Sequence, residues 1–316
     1  LGLFMYDTLG KRGILPGTSK LDLTSDAAGK PLNTKFKTAF EDSDCWVEDA
    51  RLVMLNARDA QARGATILPR TKVIATDRQA DHWVITIEDR DTGETHTRRA
   101  KMLVNAGGPW VADLIKDQLK IKSRETVRLV RGSHIVVPKL YDHDRCYFFQ
   151  GTDGRIIFAI PYEEDYTLIG TTDADHSDAD TPPECTKEEQ AYLVKFASEY
   201  FAKPVTLDQI VWTYSGVRPL YDDGASSATA ATREYVLSLD QDAAPLLNIF
   251  GGKITTYRKL AEAALVKISE TLPGIKPNWT AGVPLPGGDF PVGEVKTQQD
   301  RLASDFPFLT AYAARR

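Results

Sequence analysis

The sequence is poor in cysteine and histidine, which limits the disulfide and metal chemistry open to it. Its three cysteines, Cys45, Cys146 and Cys185, lie far apart and form no C-x-x-C pair. That spacing supports neither a disulfide framework nor a zinc site, and reduced thiols in a cytoplasmic compartment are the simpler interpretation. The five histidines show no metal-ligand spacing, so we predict no metal site.

Long apolar segments and an excess of positive charge are also absent. The strongest apolar runs, such as residues 156–160, have only the length of a strand. A membrane-spanning helix needs about 20 apolar residues, so none is predicted. The net charge is −5. This mild acidity argues against a nucleic-acid partner, but a small anionic substrate stays open because a pocket can be basic on an acidic protein.

The share of apolar residues is that of an ordinary globular protein. Hydrophobic residues make up 42% and charged residues 26% of the 316 residues, enough for a sizeable core in two domains or in one large domain with insertions. The sequence starts at Leu1 without an initiator Met and without a signal-peptide pattern. We therefore expect an internal fragment of a longer protein.

Apolar periodicity and turn residues divide the chain into helices and strands. Helices are predicted over residues 47–63, 111–119, 186–201 and 255–272. Strands are predicted over residues 66–68, 72–75, 82–87, 102–105, 133–137, 146–150, 155–161, 166–172, 210–214, 235–239 and 246–250. A hairpin turn at residues 91–94 leads into a return strand that ends near Ala100.

Two segments show a buried strand, a Gly-Gly pair and then a helix. The first contains Gly107 and Gly108, and the second contains Gly251 and Gly252 followed by Lys253. Glycines let backbone approach a ligand closely, and a helix start offers free N–H groups. An ordinary strand-to-helix turn explains the first segment equally well, but two such junctions in one chain indicate a single cofactor surface.

Three polar residues stand out beside apolar strands. Arg218, between Gly216 and Pro219, is a candidate for a two-pronged contact to a phosphate or carboxylate, together with Arg233. Pairing with Asp or Glu at the surface is the alternative for both arginines. His134 opens an apolar strand and is a candidate general base, although a lone strand histidine is more often structural.

In this order, these segments resemble the FAD-dependent glycerol-3-phosphate dehydrogenases of the aerobic, quinone-linked type. The resemblance runs over nearly the whole chain and is most specific in residues 212–220 (WTYSGVRPL) and 250–262, with further matches at residues 1–7, 44–52 and 170–173 (GTTD). It implies an α/β (α+β) fold. It further implies a partial glutathione-reductase-like FAD-binding domain that is interrupted by a mixed β-sheet substrate domain, as in the glycine/D-amino-acid oxidase type.

The resemblance also implies a division of the chain into domains. The expected order is a substrate-domain or linker segment (1–44), part of the FAD-binding domain (45–119), the substrate domain (120–240), a return to the FAD-binding domain (241–275) and a linker with the start of a truncated C-terminal helical domain (276–316). The family begins with a G-x-G-x-x-G turn, which does not occur in these 316 residues.

As for chemistry, the resemblance implies oxidation of sn-glycerol 3-phosphate to dihydroxyacetone phosphate by FAD, with electrons passing to quinone. The expected substrate-site residues are His134, Arg218, Arg233 and Lys253. The expected flavin-facing residues are Gly107, Gly108, Gly251, Gly252, Lys253 and Thr255. The resemblance further implies a peripheral protein on the inner face of the cytoplasmic membrane and allows a homodimer.

Three alternatives stay open. A glycerol-3-phosphate oxidase would use the same site and hand electrons to oxygen. An amine or amino-acid oxidase of the same fold would need a carboxylate clamp in place of a phosphate anchor. From a different class, the chain would be a folded substrate-domain module without catalysis.

Overall fold

The computed structural model describes residues 15–224, 232, 234–276 and 278–315. The described residues form two compact units. The first holds the described residues up to Cys45 together with Lys72–Ile275, and the second holds Trp46–Thr71 with the described residues from Lys276 onward. The domain boundaries predicted near residues 120 and 240 lie inside the first unit and stay a prediction about its functional division.

Fourteen strands form four sheets within the described residues. The strands are β1 (Ser19–Asp22), β2 (Thr38–Glu41), β3 (Thr71–Arg78), β4 (Trp83–Asp89), β5 (Thr95–Ala100), β6 (Leu103–Asn105), β7 (Val127–Pro138), β8 (Tyr147–Gln150), β9 (Ile156–Tyr162), β10 (Tyr166–Gly170), β11 (Ala174–Asp175), β12 (Trp212–Tyr221), β13 (Tyr235–Asp240) and β14 (Leu246–Gly251). The predicted strand at residues 66–68 is wrong. These residues are irregular and run into Pro69, which has no N–H to donate to a ladder.

The helices agree closely with the helical periodicity of the sequence. They are α1 (Asp49–Ala62), α2 (Val111–Asp113, continuing as a π-helical turn over Leu114–Leu119), α3 (Lys187–Tyr200), α4 (Tyr257–Ser269), α5 (Val295–Asp305) and α6 (Ala311–Arg315). The capping box predicted for α3 is confirmed, because the Thr186 side chain accepts from Glu189 N while the Glu189 side chain accepts from Thr186 N. No helix among the described residues has the length and apolarity to cross a membrane.

The largest sheet has six strands in the order β11-β7-β10-β9-β8, with β12 paired to β7, and all of its pairings are antiparallel. Alternate residues of β7, such as Ile135 and Val137, pack with Leu193 and Phe196 of α3 in the main hydrophobic core. Because strand side chains alternate between faces, His134 lies on the opposite face of the sheet.

A three-stranded sheet carries the two Gly-Gly junctions. Its order is β13-β14-β6, and β14 runs parallel to β6. A second core backs this region and contains Trp83, Val111, Leu246 and Phe250. Since parallel strands end at the same edge of a sheet, both Gly-Gly junctions come to one edge, as the single cofactor surface requires.

The remaining sheets are small. β1 and β2 form a hairpin-like pair, and β3, β4 and β5 form a sheet in that order. Arg78 of β3 makes a two-pronged contact with Asp240 of β13, with N–O distances of 3.0 and 2.9 Å. This ion pair joins the β3-β4-β5 sheet to the sheet that carries the Gly-Gly junctions. In the second unit, the Arg63 guanidinium lies 4.7 Å from the ring centroid of Trp279.

Candidate functional site

His134 lies in the middle of a row of residues that crosses the six-stranded sheet. The register pairs His134 with Gly170 on one side and with Tyr214 on the other, and Gly170 in turn pairs with Phe158. The imidazole stacks on the Tyr214 ring with centroids 4.9 Å apart and planes 8° apart. The imidazole therefore has a fixed orientation on the face of the sheet away from α3.

Gly170 is what makes room for that imidazole. A Cβ atom added at Gly170 would lie 2.1 Å from His134 Cδ2, far inside any real contact distance. The ring thus lies against backbone on one side and against Tyr214 on the other. Gly170 and Tyr214 both lie in segments that resemble the family, but the sequence alone indicated no role for either residue.

The His134 imidazole is half-buried and close to a cation. Burial, and then the positive charge of Arg218, lower the pKa of His134 from 6.5 to about 4. Its Nδ1 is buried and has no hydrogen-bond partner among the described residues. The imidazole is therefore neutral at pH 7.

Arg218 of β12 is held by three neighbours. Its Nη1 donates to Asp173 Oδ1 at 2.8 Å and its Nη2 donates to Thr171 Oγ1 at 2.9 Å. The guanidinium also lies directly over Gly132, because a Cβ there would be 2.4–2.6 Å from its atoms. The acidic partner that the sequence left open for Arg218 is therefore present. Arg218 also lies beside the candidate base with 31% of its side chain exposed, and its contact with a phosphate or carboxylate stays a prediction.

The loop that holds Arg218 is itself anchored to the start of α3. Thr172 Oγ1 donates to Glu189 Oε1 at 2.7 Å and accepts from Ser133 N at 3.0 Å. Glu189 also pairs with Arg131 at 3.1 Å. Burial alone would raise the pKa of Glu189, but hydrogen bonds from Thr186 and Thr172 lower it below its usual value. The capped helix start thereby fixes the backbone that places Thr171 and Asp173.

The two Gly-Gly junctions are joined by a pair of buried asparagines. Asn105 at the end of β6 pairs in register with Asn248 of β14, and its Nδ2 donates to Asn248 Oδ1 at 3.0 Å. The same Nδ2 donates to Val111 O at 3.1 Å, while Asn105 Oδ1 accepts from Gly107 N at 3.2 Å. A single amide thus fixes the first junction, its helix and the neighbouring strand.

The second junction needs glycine for its backbone conformation. Gly251 has φ 73° and Gly252 has φ 104°, values that side chains other than glycine rarely adopt. A Cβ at Gly252 would also lie 2.7 Å from Leu260 Cδ1 of α4. By contrast, nothing lies within 4 Å of the Cβ position of Gly108, so the open side of this edge is at the first junction.

Lys253 and Thr255 follow directly on the second junction and are exposed. Residues Ile254–Thr256 form a 3-10 turn, and Thr256 N donates to Lys253 O at 3.0 Å. The α-helix starts at Tyr257, two residues later than predicted, because this turn comes first. Arg233, the other predicted anchor, lies outside the described residues.

An antiparallel six-stranded sheet together with a parallel strand pair that carries two Gly-Gly junctions agrees with the fold of flavin-dependent oxidoreductases of the glycine oxidase type. The model of the family described as "FAD dependent oxidoreductase" (DAO) matches residues 5–258. The chain belongs to this family, and the fold class predicted from the sequence is confirmed.

Two curated relatives are similar over almost the whole chain. The aerobic glycerol-3-phosphate dehydrogenase of Escherichia coli (strain K12) is 43% identical over 100% of this chain and 62% of its own length. The D-erythritol 1-phosphate dehydrogenase of Brucella abortus (strain 2308) is 44% identical over 98% of this chain and 62% of its own length. The chain therefore spans about 62% of the length of these relatives.

Solved structures agree on the fold. The glycerol-3-phosphate dehydrogenase from Bacillus halodurans complexed with FAD has a TM-score of 0.75 and 27% identity, and the match covers 95% of this chain and 62% of that one. The glycine oxidase from Bacillus cereus has a TM-score of 0.54 at 16% identity, covering 76% of this chain and 60% of that one. At 16% identity the second likeness shows the fold alone.

FAD is the cofactor of this family, and the described residues fit part of an FAD site. The edge built by Asn105 and Asn248 brings together an open glycine at Gly108, a tight glycine turn at Gly251–Gly252 and the exposed Lys253. A ligand can approach the backbone closely at these glycines, and the helix starts beside them offer free N–H groups. Such groups suit the polar rim of a flavin. The pyrophosphate turn of the family is the part that this sequence does not supply.

Proposed function

We propose that the holoenzyme, meaning an FAD-loaded polypeptide that contains this sequence, oxidises sn-glycerol 3-phosphate to dihydroxyacetone phosphate and passes the electrons to quinone. The observation that carries the proposal is the Arg218 guanidinium fixed beside His134 on the open face of the six-stranded sheet. A planar cation of this kind suits a phosphate oxygen. The names of the relatives add the substrate class, since several of them are glycerol-3-phosphate dehydrogenases.

In the proposed reaction the C2 carbon loses a hydride and the C2 hydroxyl loses a proton. Bound FAD supplies the acceptor for the hydride. Arg218 and Arg233 bind the phosphate, Lys253 lies between substrate and flavin, and His134 meets an oxygen of the substrate. The residues proposed to face the flavin are Gly107, Gly108, Gly251, Gly252, Lys253 and Thr255. Positioning of this kind converts a bimolecular hydride transfer into an intramolecular one.

The proposal also covers the turn that binds the FAD pyrophosphate and the cellular context of the reaction. The G-x-G-x-x-G turn, which binds the FAD pyrophosphate at a helix start, would be supplied by residues of the holoenzyme outside this sequence. Quinone as acceptor goes with a peripheral position on the inner face of the cytoplasmic membrane, and a homodimer is compatible with it.

A second candidate substrate follows from the Brucella relative. D-erythritol 1-phosphate, like glycerol 3-phosphate, is a phosphorylated polyol with an oxidisable secondary hydroxyl. The identities of 44% and 43% do not separate the two. Because the phosphate anchor would be shared, the choice depends on the room left for the longer carbon chain.

A substrate and acceptor panel tests the proposal. The holoenzyme is assayed with sn-glycerol 3-phosphate, D-erythritol 1-phosphate, glycerol and glycine, using a quinone analogue in one series and oxygen with peroxide detection in the other. We expect the highest kcat/KM with glycerol 3-phosphate and quinone, and little activity with glycerol, which lacks the phosphate. Equal activity with glycerol would contradict the phosphate anchor. Fast peroxide formation would favour the oxidase, and activity with glycine alone would favour an amino-acid oxidase.

A further inference from the structure

The two nitrogens of His134 are in different surroundings. The ring is held between the Gly170 backbone and the Tyr214 ring, so it has little freedom to flip. Nδ1 is buried and has no hydrogen-bond partner among the described residues, whereas Nε2 is not buried in this way. Nε2 is therefore the nitrogen that solvent or a substrate reaches.

The buried Nδ1 determines where the hydrogen of the neutral ring resides. A neutral imidazole has one N–H donor and one acceptor nitrogen. An unpaired buried N–H is among the rarest groups in folded proteins, and unpaired acceptors are somewhat less rare. With no acceptor beside Nδ1, the stable arrangement leaves Nδ1 as the bare nitrogen and puts the hydrogen on Nε2.

A proton acceptor at this position would meet two further obstacles. To accept a proton at Nε2, the neutral ring must first be in the other tautomer, with its hydrogen on the unpaired Nδ1. The resulting imidazolium would be a second cation beside Arg218. Among the described residues, the charged group that acts on the ring is Arg218, which is itself paired with Asp173, and the Tyr214 phenol stacks on the ring. The Tyr214 face favours a cation slightly, but burial and Arg218 dominate, since the pKa of His134 falls to about 4.

We propose that His134 acts as a neutral hydrogen-bond donor, through Nε2–H, to a substrate oxygen and takes no proton in the reaction. This inference rests on the proposed function for the identity of the substrate, and it differs from the base role expected from the sequence. A neutral imidazole used as an electrophile is a known way to stabilise developing charge on a substrate oxygen. The hydroxyl proton leaves to a solvent water molecule at the open face of the sheet.

The tautomer can be measured without any catalysis. Nitrogen-15 NMR of histidine-labelled holoenzyme, with the His134 signals assigned by their loss in His134→Gln, reports which nitrogen carries the hydrogen. We expect Nε2–H from pH 8 down to pH 5, with and without glycerol 3-phosphate. An Nδ1–H tautomer, or an imidazolium at pH 6, would overturn the proposal even if the enzyme oxidises glycerol 3-phosphate as proposed.

Kinetics provide the second measurement. The Gln amide offers an N–H close to where imidazole Nε2–H lies, and Leu offers none. We expect His134→Gln to keep kcat within about tenfold of the unmodified enzyme, and we expect kcat of His134→Leu to fall about 100-fold. The pH profile of the Gln variant should show the same acid limb as that of the unmodified enzyme. A base would instead lose about 10²–10⁴-fold in the Gln variant together with its acid limb, and that result would overturn the proposal.

His143 provides a matched control. It is also a half-buried imidazole with an unpartnered Nδ1 and a lowered pKa, but its Nε2 pairs with the Tyr147 hydroxyl at 2.8 Å inside an aromatic cluster. We expect His143→Gln to leave kcat and its pH profile unchanged, with FAD content near normal in all variants. If no preparation oxidises glycerol 3-phosphate, the proposed function fails, and the NMR measurement still decides the tautomer.

Discussion

Replacing Arg218 with Lys tests the proposed phosphate anchor more directly than removing its charge. The guanidinium is held in a plane by Asp173 and Thr171, at 2.8 and 2.9 Å, and lies over the Gly132 backbone. Lys keeps the charge, but its ammonium is a single point on a flexible stem and cannot contact both partners and a phosphate in one plane. We therefore expect Arg218→Lys to lose most of the contribution of the side chain.

The expected size follows from the hydrogen bonds that Lys cannot make. A hydrogen bond to a charged group contributes about 1.5–3 kcal/mol. Losing one such bond to the substrate phosphate corresponds to about 10- to 150-fold in kcat/KM, since about 1.4 kcal/mol is a factor of ten. The loss should appear mainly in KM if the phosphate is bound equally in ground and transition states, and in kcat if the contact tightens only in the transition state.

Arg128 supplies the control for this measurement. It makes a similar two-pronged contact with Asp175, at 2.7 and 2.8 Å, two residues along the chain from Asp173, but Asp175 is 62% exposed. Steady-state kinetics with glycerol 3-phosphate are compared for Arg218→Lys and Arg128→Lys, with FAD content and Tm measured for both. Arg128→Lys should stay within about twofold, because exposed ion pairs contribute about 0–1 kcal/mol. Equally small effects for the two variants would remove Arg218 from the substrate site.

Three further predictions follow from the same contacts. Asp173→Asn should lower kcat/KM by about tenfold, because it releases the Arg218 guanidinium. It should also lower the pKa of His134 further, because Asn no longer offsets the charge of Arg218. Asp175→Asn is the control, and an unchanged or raised pKa of His134 in nitrogen-15 NMR would contradict the argument. Gly170→Ala should displace the His134 ring, since its Cβ would lie 2.1 Å from Cδ2, and should destabilise the fold by about 1–3 kcal/mol in denaturant unfolding; a stable variant with normal kinetics would show that the ring moves away easily. The 316-residue chain expressed alone should purify with little FAD, because it lacks the pyrophosphate turn; a near-stoichiometric flavin absorbance spectrum would refute this.

The sequence is sufficient for most of the architecture because its local signals are strong. The capping box at Thr186 and the apolar period of α3 predict that helix to within a residue or two. The alternation of residues 82–87 likewise predicts β4. The three residues at 66–68 misled the prediction because a short apolar run has no strand character without a partner strand.

The candidate site could be predicted only in part, since it depends on register. Nothing in the sequence near His134 indicates that Gly170 and Tyr214 flank it, because those contacts join residues 36 and 80 positions apart through strand pairing. The roles of Gly132 and Asp173 are equally hidden, as both act through the side chain of Arg218. Motif reading identifies the residues that carry charge, whereas the residues that hold them in place emerge only from the fold.

The asparagine pair that joins the two Gly-Gly junctions also has a consequence for how the chain folds during synthesis. Asn105 and Asn248 are 143 positions apart, and the strands that form the six-stranded sheet, from Val127 to Tyr221, lie between them. Parallel pairing of distant strands is slow because a long loop must close first. His134 and Arg218 therefore leave the ribosome and can assemble before β14 exists. The region around His134 and Arg218 can therefore form first, and the edge with the two Gly-Gly junctions closes last.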